Sequence, residues 1–155
     1  GCLDQRAVSA LAARRGARIR ARIAGVGAAG DAVHMTAPDR EGRGAARAIS
    51  AALVDAGLAA GDVGFVSAHG TGTPYNDAME AVAIARVFGP RQVPVNSIKG
   101  AIGHTLGAAG AFETVLCVAA MRSLASGWPR DPAAAAMLAL ARASSDPELR
   151  QAARP

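Results

Sequence analysis

From Ala17 the chain reads ARIRARIAGVG, with Arg18, Arg20 and Arg22 on one side of a two-residue period and Ile19, Ala21 and Ile23 on the other. Such alternation predicts a half-buried strand, because successive side chains of an extended backbone point to opposite faces. Residues 31–44, DAVHMTAPDREGRG, contain Pro38, Gly42 and Gly44 and read as a loop. A helix follows over about 45–56, with apolar positions at Ile49 and Leu53; Gly57 closes it and Leu58 sits behind as the hydrophobic contact of a glycine cap. Val63 to Ala68 predicts a short strand. A second helix starts at YNDAME, where Asp77 and Glu80 fit a capping box, and stops at Gly89-Pro90. Val93 to Ile98 reads as a third strand, and about 107–124 as a third helix.

That last helix, GAAGAFETVLCVAAM, is apolar nearly all round, and a helix without a polar face belongs inside a protein. The order strand, helix, strand, helix, strand, helix predicts an α/β architecture with parallel strands. In such folds functional side chains gather at the carboxyl ends of strands, where His69 and Lys99 fall. After Pro129 the chain turns Ala- and Arg-rich, with three further prolines, and reads as a short helix and a loose tail.

Composition adjusts this picture in a few places. A chain of 155 residues that is 51% hydrophobic can bury one core. Its formal charge is +5, and every basic residue except Lys99 is arginine. Aromatics interleaved with the basic residues are missing, which argues against nucleic-acid binding. Cys2 and Cys117 are too few for a disulfide framework or a zinc site, which favours a reducing, cytoplasmic setting. No signal peptide is present, and the apolar stretch from Val115 to Ala120 is far short of the roughly 20 residues a membrane span needs. A first residue of Gly rather than Met fits a fragment or a processed product.

Candidate chemistry concentrates between residues 67 and 113. GVGAAG at Gly25–Gly30 has dinucleotide-loop spacing but is not followed by a helix, so it carries no cofactor site. His69 in AHGTGTP and His104 in GHTLGAAG both stand among glycines, where an imidazole can donate or accept a proton close to a substrate. Between them lies the only lysine, a compact amine that can hold a carboxylate in a buried site. Glu113 is the only charge from Ala101 to Met121 and needs a partner, a cation or a proton. A metal site built from the two histidines with Asp77, Glu80 or Glu113 lacks ligand spacing. Cys117 reads as a small core residue.

DAVHMTAPDREGRGAARAI, VSAHGTGTPYNDAMEAVAIARVFG and VPVNSIKGAIGHTLGAAGAFE together resemble the C-terminal half of β-ketoacyl-acyl carrier protein synthases, over about Ala17 to Leu124. The resemblance implies a thiolase-like fold layered α-β-α-β-α, of which this chain supplies roughly the C-terminal β-α-β-α-β-α half. Residues 1–128 form the partial synthase domain and 129–155 a divergent tail. It implies an acyltransferase of fatty-acid or polyketide synthesis, which condenses an acyl thioester with malonyl-carrier protein by decarboxylation. His69 and His104 match the family's two histidines. Lys99 matches its lysine, with Glu80 as the expected carboxylate partner. Thr71 and Thr73 match threonines that touch the phosphopantetheine arm, and Asp31 and His34 a loop at the mouth of the site. Glu113 matches a glutamate near a structural monovalent cation in some members.

No bound cofactor is implied, since the carrier protein delivers the phosphopantetheine arm. The implied partners are that acyl carrier protein and a second synthase chain, as homodimer or heterodimer, with no nucleic acid and no membrane. Two family features are missing: the cysteine elbow that takes the acyl group, and the Gly-Phe-Gly-Gly type loop. The chain therefore reads as an incomplete synthase, inactive alone. The alternative is a non-catalytic remnant or interaction module that docks on a carrier protein or partner synthase.

Overall fold

The computed structural model describes residues 5–35, 37–90 and 93–125. The boundary expected at 128/129, the tail beyond it, and Cys2 lie outside the described residues. Helix α1, Gln5–Arg14, is an element the hydrophobic pattern did not predict. Gly16 ends it at φ 63, with the Ala17 amide reaching back to the Ala12 carbonyl at 2.9 Å. The cap was written in RRGAR, since a glycine takes the left-handed conformation at least cost.

Residues 17–24 form no strand, contrary to the expectation. Alternation makes a half-buried strand only where a neighbouring strand takes the backbone groups and a layer covers the apolar side. Ile19 and Ile23 are exposed here. The glycines that follow have a packing role. A Cβ on Gly27 would run into the Ala48 carbonyl, and one on Gly25 would lie 2.5 Å from the Ala52 oxygen, both on helix α2, Arg43–Ala56. The Val26 amide donates to Asp55 Oδ2 at 2.9 Å, and the Arg47 guanidinium donates to the Gly30 carbonyl at 2.8 Å. GVGAAG thus lies flat along a helix instead of opening one.

α2 ends as expected. Gly57 has φ 68, its amide donates to the Val54 carbonyl at 3.1 Å, and the Leu58 amide donates to the Leu53 carbonyl at 3.0 Å, the paired bonds of a Schellman cap. At its start, Asp39 is buried and accepts the Glu41 amide at 3.2 Å, the Arg43 amide at 3.3 Å and Arg43 Nε at 2.7 Å. The Arg43 guanidinium holds the Asp39 carboxyl below the usual carboxylate range, against a smaller opposing effect of burial. A depressed folded pKa stabilises above the unfolded value and is lost as pH falls through the folded one. Thermal unfolding followed between pH 2 and 6 should therefore show stability falling below about pH 4. Asp39→Asn should flatten that acid limb; an unchanged limb would assign it to other carboxylates.

A 3₁₀ turn at Ala60–Asp62 leads into β1, Val66–Ser67, which pairs in parallel with β2, Val95–Asn96, in the register Val66 to Val95 and Ser67 to Asn96. The strands are parallel as expected but far shorter than predicted. The core joins Ala68, Ile84 and Val93, with Ile49, Val63, Val66 and Phe88 packed around them. α2 and α3, Pro74–Phe88, pack on each other, with Gly42 pressed against Met79 and Ala83. α3 begins one turn before the expected capping box: Thr73 precedes it and Pro74 takes the first helical position, where a missing N–H costs nothing.

After β2 come α4, Lys99–Ile102, a 3₁₀ turn at Leu106–Ala108, and α5, Ala109–Ala125. Sequence predicted α5 to be enclosed, yet Phe112 is 46% and Val115 66% exposed. The described residues put one layer of helices on a two-stranded sheet, and α5 lies outside that layer. The helical stretch Leu106–Ser123, with mean hydropathy 1.2, is long and apolar enough by length and composition to cross a membrane. The short run from Val115 to Ala120 understated that reach, although a core helix passes the same test.

Candidate active site

β1 and β2 end side by side, and the turns that leave them carry the candidate chemistry. His69 stands two residues beyond β1, in the turn that runs through Thr71 and Thr73 into α3. Lys99 stands three residues beyond β2, at the start of α4, with only 3% of its side chain exposed. Its ammonium donates to Glu113 Oε1 and, at 2.5 Å, to the His69 carbonyl. The expected partner was Glu80; the structure pairs Lys99, at the start of α4, with Glu113 in the first turns of α5 instead. Glu113 thereby obtains the partner its isolation demanded, and a monovalent cation there would share the carboxylate with an ammonium.

Glu80 has a different task. Its Oε1 accepts the His69 amide at 2.5 Å and its Oε2 accepts the Gly70 amide at 2.8 Å. One carboxylate on α3 thus takes two consecutive backbone donors, a charge-assisted arrangement that fixes the turn. It caps no helix end of its own. Gly70, at φ 41, has no space for a Cβ against Ser97, so glycine is required by both its conformation and its neighbour.

His104 follows Gly103, itself at φ 75. The Leu106 amide donates to His104 Nδ1 at 3.0 Å, in a turn where Leu106 itself has a left-handed backbone, φ 51. A ring nitrogen that accepts a hydrogen bond carries no proton, so this contact assigns the ring proton to Nε2, which is then the donor. The His69 and His104 rings meet edge to face, with centroids 5.2 Å apart and planes 84° apart. Both side chains are exposed, so a substrate atom can reach them.

The remaining expected site residues divide. Thr71 and Thr73 hydroxyls bond each other at 2.8 Å on the turn beyond His69. Asp31 and His34 lie on the loop before α2: Asp31 Oδ2 accepts the Asp39 amide at 3.0 Å, and His34 Nδ1 accepts the Ala37 amide at 3.2 Å. The loop is also fastened to α3, where the Arg40 guanidinium lies 5.1 Å from the centre of the Tyr75 ring. Among the described residues no three His, Cys, Asp or Glu side chains converge as a metal would require. The sequence reading missed Ser97, half-buried between β2 and α4, whose hydroxyl donates to the Gly70 carbonyl at 3.0 Å. A serine two residues before the lone lysine was the available signal.

The family described as beta-ketoacyl synthase, C-terminal domain, matches residues 20–125. The 3-oxoacyl-[acyl-carrier-protein] synthase 2 of Vibrio cholerae is 47% identical over 107 residues, covering 67% of this chain and 26% of that protein. The mitochondrial 3-oxoacyl-[acyl-carrier-protein] synthase of Arabidopsis thaliana is 45% identical over 114 residues, 71% of this chain and 25% of that one. Among solved structures, a beta-ketoacyl synthase from Burkholderia phymatum superposes with TM-score 0.67 at 44% identity, over 74% of this chain and 27% of its own. The AntDE:AntF complex, a type II PKS acyl-carrier protein with its ketosynthase, gives TM-score 0.66 at 40% identity, over 71% and 28%. The chain thus spans about a quarter of the length of the curated relatives it matches.

Proposed function

The chain belongs to the β-ketoacyl synthase C-terminal domain family, with part of a thiolase-like α/β fold, and we propose that it supplies the decarboxylating half of a condensing site. The observation that carries this reading is the edge-to-face pair His69 and His104, with the His104 proton held on Nε2 by the Leu106 amide. Two imidazoles, one on the turn after β1 and one on the turn after α4, can direct hydrogen bonds at one thioester oxygen. That oxygen gains negative charge when a malonyl thioester loses carbon dioxide and becomes an enolate. The enolate carbon then attacks the carbonyl of an enzyme-bound acyl thioester; a carbon–carbon bond forms and the cysteine thiolate leaves.

Lys99 and Glu113 neutralise each other beneath the site, while Lys99 and Glu80 fix the His69 turn. The paired hydroxyls of Thr71 and Thr73 suit the amide groups of a phosphopantetheine arm, which reaches the site attached to a carrier protein and makes a bound cofactor unnecessary. Cys117 lies within α5, in no elbow, and Cys2 stands in GCLDQ, which lacks the elbow sequence, so the nucleophilic cysteine is to be supplied by a separate segment. The apolar side of α5, with Phe112 and Val115, suits the layer that such a segment brings. A second synthase chain completes the assembly.

Reconstitution tests the reading. Mixed with an N-terminal synthase segment that carries the cysteine elbow, the chain is expected to release carbon dioxide from a malonyl-carrier protein and form a β-ketoacyl product, with neither piece active alone. Stable complex formation without product would favour a non-catalytic docking module.

A further inference from the structure

The two strands are held by the Val66 amide on the Pro94 carbonyl at 2.9 Å and the Ala68 amide on the Asn96 carbonyl at 2.8 Å. Two residues beyond Ala68, at Gly70, the backbones part, and among the described residues no backbone amide donates to the Gly70 carbonyl. The Ser97 hydroxyl takes that place, donating to the Gly70 carbonyl at 3.0 Å and standing 3.4 Å from the Lys99 amide. The ladder is continued by a side chain, and Ser97 joins the turn that carries His69 to the turn that carries Lys99.

Ser97 also completes a set. The four backbone polar groups of the dipeptide His69–Gly70 are each taken by a side chain: Glu80 Oε1 on the His69 amide, Glu80 Oε2 on the Gly70 amide, Lys99 Nζ on the His69 carbonyl, and Ser97 Oγ on the Gly70 carbonyl. Three of those four contacts are charge-assisted and tolerate some displacement. The hydroxyl contact is the neutral one, and it holds the carbonyl of the peptide after Gly70, a residue at φ 41 with no Cβ to restrict the turn.

We infer that Ser97 is a positioning residue, which sets the direction of the His69 imidazole by fixing the Gly70 peptide. This rests on the reading of His69 as a donor to the thioester oxygen. A hydrogen bond that stabilises a developing charge depends steeply on geometry, and displacement by about 1 Å can cost 100-fold in rate.

Ser97→Ala, Ser97→Val and Ser97→Thr in the full chain test it. Thr and Val have the same shape and differ in the hydroxyl, so their contrast isolates the hydrogen bond even where Ser97→Ala weakens the fold. Two readouts are taken: nuclear Overhauser contacts between the His69 and His104 ring protons, and decarboxylation after reconstitution. Ala and Val are expected to lose the ring contacts and about 10- to 100-fold in kcat with KM little changed, while Thr keeps both. Retained contacts and wild-type kcat in Val overturn the inference, as does a Thr variant no better than Val. Lost ring contacts in Val with no decarboxylation even by the unmutated chain support the clamp and remove the proposed function.

Discussion

Lys99→Met is expected to lower the stability of the folded chain by about 3–5 kcal/mol, because it strands the Glu113 carboxylate in a site closed to water. The lysine side chain is 3% exposed and that of Glu113 14%, so little solvent remains to replace the ammonium. The same change takes the donor from the His69 carbonyl, so the loss reaches the site as well as the fold. Lys99→Arg should recover only part of both, since a guanidinium fork is wider than the point between Glu113 Oε1 and that carbonyl. The double variant Lys99→Met/Glu113→Leu removes the pair as a unit and should regain much of the lost stability while activity stays absent. Urea denaturation of the wild type, Lys99→Met, Glu113→Leu and the double variant gives the coupling directly. A cost below about 1 kcal/mol for Lys99→Met would mean that the pair behaves as an exposed ion pair does.

The features most legible in sequence were those fixed by local backbone chemistry. Gly57 followed by Leu58 announced a Schellman cap, and the parallel order of two strands followed from the alternation of strand and helix signals. His69 and the lone lysine were legible as a cluster for a related reason: each follows a strand end, and parallel strands bring those ends together, while His104 comes in from beyond α4 to meet the His69 ring. What sequence could not resolve was which carboxylate goes where. Glu80 is 11 residues from His69 and looked like the partner of Lys99; its real ligands are two amide protons, which carry no sequence signature. Glu113 reaches Lys99 from α5, 14 residues further along the chain, a matter of tertiary path.

The misread strand at 17–24 and the exposed α5 share a cause. Period and apolar content report what a segment can bury, and burial itself needs a second surface. Both segments carry apolar side chains that the described residues leave uncovered, Ile23 at 62% and Val115 at 66% exposure among them. Relatives about four times the length of the matched region show how much more polypeptide the family supplies.

Replacing His104 is expected to reduce decarboxylation in the reconstituted assembly by about 100- to 1,000-fold for alanine, the usual cost of removing one donor from a developing oxyanion. The tautomer that the Leu106 contact assigns refines that expectation. With Nδ1 occupied by the Leu106 amide, the group that meets substrate is Nε2–H. A glutamine amide can place an N–H near the position of Nε2, whereas asparagine reaches only as far as Nδ1. His104→Gln should therefore retain more activity than His104→Ala, and His104→Asn should be as poor as alanine. If glutamine and alanine were equally inactive, the imidazole would have to carry a proton between steps, and simple donation to the thioester oxygen would not be its role. The same series at His69 should be less orderly: the His69 backbone is clamped by Glu80 and Lys99, and the ring meets His104 by its edge. A substitution there changes the packing of both donors, so the effect of the double His69→Ala/His104→Ala variant should fall well short of the sum of the two single effects on a free-energy scale.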